Sequence, residues 1–539
     1  MVQTVKGCQR LSRDAWICLA LVASMQCLSM LDRNILAILN PRIKADLHIG
    51  DAEMGLLYGT VFALFYAVFS LPLGRLADGW RRGWLLAICI ALWSLATALA
   101  GFASGFALLA VSRLGVGIGE AAGQPAGTSL VFDYFPKHRR GLALAVMAAL
   151  LAAGLGLSSV LGGMAADGWD HAFAGHAAPL GLKGWQFAFV LAALPGVPLA
   201  LLLLLMREPV RGLSDGIVSR VDPAPFRASL DVLIAVLPLG VWWTLARRGA
   251  GRGAIVRNPL ALIAIVVAMV GIAHLCAWLS PRPPLHLLGL TIDPHALQWT
   301  IVGIGGYVVV NFLQSLRLAD APTHAVIMGS PALWLCLIVG SLQTTINYGV
   351  MGFTPAFLMK TWHLSAGDVG VKFGLLSAVI GMIGPMLSGP LSDFFAARAG
   401  AGGRVGLVVL ALGLSPFVAM AVYTAPDPTA FYLRFTLYSV ILTMWLPPLY
   451  AVLYEQVLPR MRGQTAALYI LLMTILGLGI GPYWVGMVAD RLHGNLGLAI
   501  LSVNALAPVI VVLLLVLWRR AERDAAAALG RAQAAGEPV

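Results

Sequence analysis

Apolar runs of about 20 residues alternate along the chain with short polar turns, the length a helix needs to cross a hydrocarbon layer; barrel strands need only ~9–11 alternating residues. Six such runs fall near 15–39, 53–76, 83–103, 105–130, 141–164 and 185–206, and six more near 332–355, 368–392, 404–424, 430–453, 464–487 and 496–518. The turns between them differ in charge. Arg75, Arg81 and Arg82 follow the second run, Lys137, Arg139 and Arg140 the fourth, and Arg207 and Arg211 the sixth, whereas the alternate turns carry Asp51, Glu53, Asp167, Asp170, His171 and His176. Basic turns mark the cytoplasmic side. With Lys6, Arg10 and Arg13 ahead of the first run, the pattern predicts a cytoplasmic N-terminus and a first helix running outward. That run is too long for a cleavable leader and lacks a small-residue cleavage site, so it is expected to stay in place. Arg42 and Lys44 break the charge rule and are expected on a short surface helix after Pro41.

The charged turn after the second run is used twice. Gly55, Gly74 and Asp78 recur as Gly370, Gly389 and Asp393, each 315 positions later. Gly154, Gly156, Gly163, Met164, Ala166 and Asp167 recur 323 positions later, ending at Asp490, and Pro136 with Arg140 and Gly141 is answered by Pro459 with Arg462 and Gly463. Small residues are common in membrane helices, but two ordered matches and a matching loop point to duplication. Each half holds an even number of crossings, so the halves run in the same direction, as parallel repeats about an axis along the membrane normal. Two like-oriented halves that deliver a charged turn to one surface are the architecture of a transporter.

Between the halves, 213–329 has no counterpart. Its runs at 258–279 and 296–316 are separated by the Pro-rich stretch 281–295, with Arg247, Arg248, Arg252 and Arg257 before the first and Arg317 after the second. An inserted hairpin of two spans preserves the orientation of the second half. The run at 230–245, flanked by basic residues and interrupted by Asp231 and Pro238, is expected to lie in the interface, because a third inserted span would invert the second half. The expected organisation is a six-helix half over 1–212, an insertion over 213–329, a six-helix half over 330–518 and a basic, Ala-rich cytoplasmic tail over 519–539. This is an all-α polytopic membrane protein with fourteen transmembrane helices.

Composition removes the other classes. At 59% hydrophobic and 11% charged residues, with a mean hydropathy of +0.86, the chain lies outside soluble proteins, where about a quarter of residues are charged. The net charge of +12 is dispersed in the short clusters that orient a membrane protein, which argues against nucleic acid as a partner. Cys8, Cys18, Cys27, Cys89, Cys276 and Cys336 show no metal-ligand spacing and read as small packing residues. Gly115, Gly117 and Gly119 superficially suggest a phosphate loop, but no strand precedes them and no Lys follows. No cofactor, metal or ATPase domain is expected, and no nucleophile, base and orienter combination suggests an enzyme.

Four ionisable residues stand at membrane depth: Asp32 and Arg33 in the first run, Arg113 and Glu120 in the fourth. A charge at the bilayer centre costs at least ~2.5–3.5 kcal/mol, so such groups face a cavity and pair. Arg113 and Glu120 are two helical turns apart and face the same way. The expected pairs are Asp32 with Arg113 and Arg33 with Glu120. One reading makes the arginines a substrate anion site and Asp32 or Glu120 a proton-coupling site, since a substrate that occupies an arginine frees a carboxylate to take a proton; the plainer reading is a static ion-pair network. In the second half, Arg434 is a second candidate anion contact or a surface anchor, with Glu455 later in the same run. Gln343, Asn347, Tyr348, Trp445 and Tyr450 are candidates to line the cavity or to pack helices, and His274 reads as an interhelical hydrogen-bond partner. Pro125, Pro390, Pro447, Pro448 and Pro482 favour bends.

Gly74, Asp78, Arg81 and Arg82, with the echo at Gly389 and Asp393, resemble the loop motif of the major facilitator superfamily. The second copy lacks the tight basic pair, having Arg398 and Arg404 further out, and Arg81 stands where a Gly is frequent. The resemblance implies the superfamily fold and a gating role for these residues, with Asp78 capping a neighbouring helix. The stretches LDRNILAILNPRIKADL, SRLGVGIGEAAGQPAG and GLGIGPYWVGMVADRL resemble the Spinster-related branch, whose members include exporters of lysolipids and sphingosine phosphate. Asp32, Arg33, Arg113 and Glu120 match that branch's charged positions, and 213–329 looks like an addition to it. The resemblance implies a proton-linked, single-chain transporter of an amphiphilic or organic anion in the inner (cell) membrane, both termini cytoplasmic. Symporters of small carboxylates or sugar acids carry the same helix 1 and helix 4 pattern and are the alternative substrate class. A sensor or scaffold that kept the fold without transport is the alternative of another kind.

Overall fold

The computed structural model describes residues 12–135, 140–209, 223–237, 240–247, 249–287, 290–458 and 461–537. Lys6, Cys8, Arg10, Pro136, Lys137, Arg139, Arg211, Pro238, Arg248 and Pro459 lie outside them, as do the side chains of Asp78 and Arg140. In chain order, α1 is Arg13–Leu47, and α2 joins Asp51–Gly55, a π turn at Leu56–Thr60 and Val61–Gly79. Next come α3 (Arg82–Ala100), α4 (Phe106–Tyr134), α5 (Arg140–Ala172) and α6 (Gly184–Leu205). The insertion contains α7 (Pro225–Val236), α8 (Gly240–Arg247), α9 (Arg252–Leu279), a two-stranded ribbon of β1 (Leu285–Leu287) and β2 (Leu290–Ile292), α10 (Pro294–Ala319) and α11 (Ala321–Gly329). The second half is α12 (Pro331–Trp362), α13 (Ala366–Tyr423), α14 (Pro428–Glu455), α15 (Arg462–Arg491) and α16 (Leu496–Ala526), followed by α17 (Ala528–Ala534).

Thirteen of these segments are long and apolar enough to cross a membrane. The 58-residue α13 would be about 87 Å long as one rod, nearly three membrane thicknesses. It breaks at Ala399 (φ −139°) and Gly400 (φ 57°), where only glycine tolerates the left-handed turn without strain, and folds back as two spans. Fourteen crossings result, as the apolar runs predict. In place of one interfacial helix over 230–245 stand α7 and α8, of 12 and 8 residues, each too short to cross alone. The Ser229 hydroxyl donates to the Pro72 carbonyl at 2.7 Å, which lays α7 against α2.

Arg42 and Lys44 do not occupy a separate surface helix. α1 continues through Pro41 to Leu47, where His48 ends it in the left-handed region (φ 52°); His363 ends α12 the same way (φ 53°), 315 positions later. Long membrane helices tolerate an internal proline when neighbours re-satisfy the freed carbonyl. The tail also differs from a loose extension: Asp524 accepts the Ala332 backbone N–H at 2.8 Å, capping α12, and Arg531 pairs with it at 3.2 Å.

The halves meet along two seams, α2 with α15 and α5 with α13. A Cβ on Gly55 would stand 2.5 Å from the Pro482 carbonyl oxygen, and one on Gly156 2.5 Å from that of Gly374. Backbone approaches this close require glycine, which is why the repeated glycines lie on these helices. Both seams are tight toward one end of the bundle, the far end, opposite the end that carries the charged turn.

Candidate functional site

α1 and α4 bring the four predicted charges together. Arg33 Nη2 lies 2.6 Å from Glu120 Oε2, and the guanidinium sits 4.5 Å over the Phe62 ring and 5.0 Å from that of Tyr66. The pair sits in water-excluded surroundings, where both Coulomb attraction and cation–π contact are strong. Arg113 departs from expectation. It donates to the backbone carbonyls of Asp32 (3.2 and 3.3 Å) and Arg33 (3.0 Å), so it braces α1 and forms no ion pair with the Asp32 carboxylate. That carboxylate is fully buried; it makes no hydrogen bond of ordinary geometry among the described residues, and the Trp93 indole and Thr97 hydroxyl stand beside it as neighbouring donors. Two residues on, Asn34 Oδ1 accepts from the Tyr58 hydroxyl at 2.6 Å. Arg33, Tyr66, Trp93, Glu120, Gln26 and Gln124 line a cavity of about 50 Å³, room for water only.

The second half contributes less charge than expected. Tyr348 lies within electrostatic reach of Arg33, and Asn347 Oδ1 and the whole Gln343 amide are buried without partners among the described residues. Tyr450 packs edge-on against Tyr469 with centroids 4.8 Å apart. Arg434 is exposed and donates to the Ala421 carbonyl at 2.8 Å; it stands outside the central cluster, because the helix face it occupies points away from the first half. Phe62 and Tyr66 escaped the sequence reading, since aromatic residues are ordinary in an apolar run.

At the motif end, Gly74 lies beside Pro125, where a Cβ would be 3.7 Å from its side chain. Arg81 is the residue just before α3 and its guanidinium lies 5.2 Å from the Trp84 ring. Arg82 is the hub: 1% exposed, it reaches Asp133 at 2.5 Å, Glu208 at 3.0 Å and Ser129 at 2.8 Å, tying together the ends of α3, α4 and α6. The second copy is looser. No atom lies near a Cβ built on Gly389, and Arg404 reaches Asp393 at 3.3 Å and Glu455 at 3.7 Å. Arg404 and Glu455 stand 322 positions after Arg82 and Asp133, so the displaced arginine keeps the older partner. That correspondence was readable in the sequence through a matching offset.

At the far end two carboxylates from the repeats reach across the seams. Asp490 accepts the Asp51 backbone N–H at 3.2 Å at the start of α2, and Asp167 accepts that of Gly367 at the start of α13. Each thus caps a helix of the opposite half. Arg42 holds Asp167 and, at 3.1 Å, Asp170. For Asp490 the cation comes from the insertion: Arg282 pairs with it and with Glu53 at 3.3 Å. Lys44 lies 2.5 Å from Asp51; burial outweighs this lysine and holds the Asp51 carboxyl above its ordinary range. Nearer mid-bundle, Thr60 donates to the Gly479 carbonyl at 2.5 Å, and Gln298 of α10 donates to the same oxygen at 3.0 Å. The inserted hairpin is therefore fastened across the α2–α15 seam and is no peripheral addition.

A helical bundle with fourteen crossings, two glycine-packed seams and charged latches at both ends defines a polytopic membrane transporter. The family model described as Major Facilitator Superfamily matches residues 22–482, and the chain belongs to that superfamily. A relative from Mycolicibacterium smegmatis named as an MFS-type efflux pump is 26% identical over 487 residues, 90% of this chain and 87% of its own. A sphingosine-1-phosphate transporter of Danio rerio is 30% identical over 191 residues, 35% of each chain. A crystal structure of a bacterial homologue of the human lysosomal transporter Spinster shares the fold, with TM-score 0.66 at 20% identity over 95% of this chain and 98% of that one.

Proposed function

We propose that this protein is a proton-linked secondary transporter that moves an amphiphilic organic anion, lysolipid-like in chemistry, by alternating access. It would act as a monomer in the inner (cell) membrane, with both termini and the motif end cytoplasmic. The observation that carries the proposal is the buried Arg33–Glu120 ion pair, with a second carboxylate, Asp32, buried beside it and in no ion pair among the described residues. An anion that takes Arg33 leaves Glu120 uncompensated in a buried site, and the site then favours uptake of a proton. Substrate and proton are coupled because each takes one partner of the same ion pair and so frees the other. The two half-to-half caps at the far end support alternating access: they hold that end shut, and their release would open it while the motif end closes on Arg82 and Arg404.

The names of the Danio rerio and Spinster relatives support an amphiphile. The compactness of the charged pocket favours a second reading, proton symport of small carboxylates or sugar acids. Gradient-driven uptake into proteoliposomes, run with lysophosphatidate, a sugar acid and an aromatic acid, separates them. Uptake of none under either sign of pH gradient would sink both readings and leave a non-transporting sensor or scaffold.

A further inference from the structure

Of the cavities in the described residues, one is walled jointly by both halves and the insertion. It lies at the motif end of the α2–α15 seam, with a volume of about 650 Å³, within the size range of small-molecule sites. Three parts of the chain wall it: α2 with Leu71 and Arg75, the insertion with Val236 and Phe312, and the first turns of α15 with Gln464 and Ala467. Its shape comes from the path of α10. Toward the far end Gln298 pins that helix onto the seam; toward the motif end Asn311 of α10 donates to the Val236 carbonyl at 2.9 Å and joins α10 to α7 beside α2. The lining is graded along the membrane normal. Arg75 and Gln464 lie within about a turn of the motif-end helix termini, whereas Leu71, Phe312 and Ala467 lie deeper. Ser70, also deep, turns its hydroxyl onto its own helix at the Ala67 carbonyl, 2.8 Å away, and leaves the inner part apolar.

We infer that this insertion-walled cavity binds a single-chain anionic amphiphile, with its tail between α2, α10 and α15 and its head at Arg75 and Gln464. The occupant is argued from volume, a cationic and amide-bearing mouth, and an aliphatic interior. The inference rests on the proposed amphiphile transport and adds a site apart from Arg33 and Glu120, with a task for the insertion: to shape a waiting place beside the seam.

The test is photolabelling of the full-length protein in phosphatidylcholine nanodiscs, with lysophosphatidate and lysophosphatidylcholine each carrying a diazirine in the tail, and labelled peptides mapped by mass spectrometry. Labels should concentrate on 232–236, 312–316 and 464–467. Ala467→Trp should lower both labels about tenfold or more by filling the cavity; Val236→Trp does the same from the insertion side and serves if the first variant misfolds. Arg75→Gln should lower the lysophosphatidate label about three- to fivefold, the worth of one exposed charge pair, and leave the lysophosphatidylcholine label unchanged. Labelling confined to the outward face of α9, labelling indifferent to both Trp variants, equal loss of both probes in Arg75→Gln, or equal labelling by a two-chain phosphatidate probe would each overturn the inference. Asp32→Asn separates the two proposals: it should stop gradient-driven transport and leave photolabelling intact. If no anion moves under any gradient while labelling persists, the transport reading falls and the site stands.

Discussion

Asp32 and Glu120 are both buried carboxylates beside arginines, yet they differ in what surrounds them, and their variants should behave differently. Asp32 is fully buried and in no ion pair among the described residues, so Asp32→Asn replaces a buried ionisable group by a neutral amide and should raise the melting temperature, by the equivalent of about 1–3 kcal/mol, while ending gradient-driven uptake. Glu120→Gln strips the Arg33 guanidinium of its charge partner and should destabilise by about 3 kcal/mol. Thermal unfolding of purified variants with parallel flux assays measures both; Asp32→Asn with intact pH-dependent uptake would end the coupling role. Arg113 braces two carbonyls of α1, so Arg113→Lys, which cannot span both, should lower stability for all substrates alike, where an anion-binding arginine would weaken anionic ligands selectively. All four charges were legible in the sequence because ionisable groups are expensive in a bilayer. Their pairing was not, because a backbone carbonyl competes for a guanidinium as well as a carboxylate does and leaves no trace in residue type.

At the scale of elements, the far end is closed by two helix caps that the duplicated Asp167 and Asp490 supply, each with a cation. Arg282 is 5% exposed in its side chain and holds Glu53, itself 7% exposed, together with Asp490. Arg282→Ala should therefore weaken far-end closure by about 1–3 kcal/mol, seen as a longer distance between spin labels at His48 and His493, whereas a decorative insertion would leave that distance unchanged. Acidity should act in the opposite direction through Asp51, which faces Lys44, Asp490 and Lys360. Its carboxyl is held above the ordinary value of 3.8 in the closed form, so the closed form binds the proton more tightly. Closure gains strength as pH falls toward 3.8 and loses that contribution as pH rises through the raised value; the same spin-label distance in Asp51→Asn should lose this dependence. The choice between two roles for Arg434 stayed open in the sequence, and the Arg42–Lys44 segment was misread, for related reasons. Hydropathy does not say which face of a helix meets the cavity, and Pro41 reads as an end although a packed membrane helix carries it through.

At the scale of the whole molecule, the insertion changes what the two halves are free to do. Its helix α10 is fastened to α2 and α15 through Gln298 and its loop to both halves through Arg282, so rocking of the halves must drag the hairpin or slip past it. Deleting 213–329 and joining the halves with a flexible linker should leave a folded protein whose far end opens more readily, measured by the same spin-label distance. The all-α membrane fold, the repeated glycines and aspartates and the charges within apolar runs were legible in the sequence alone, because the length of an apolar run, the charge of a turn and the spacing of glycines are local properties that the bilayer reads directly. Only the tertiary structure decided which carboxylate Arg33 holds, that Arg113 serves the backbone, that Arg404 rescues the second latch and that Arg282 completes the far end. Each of those contacts joins segments that the chain keeps far apart, and their energies come from burial that exists only once the helices have packed.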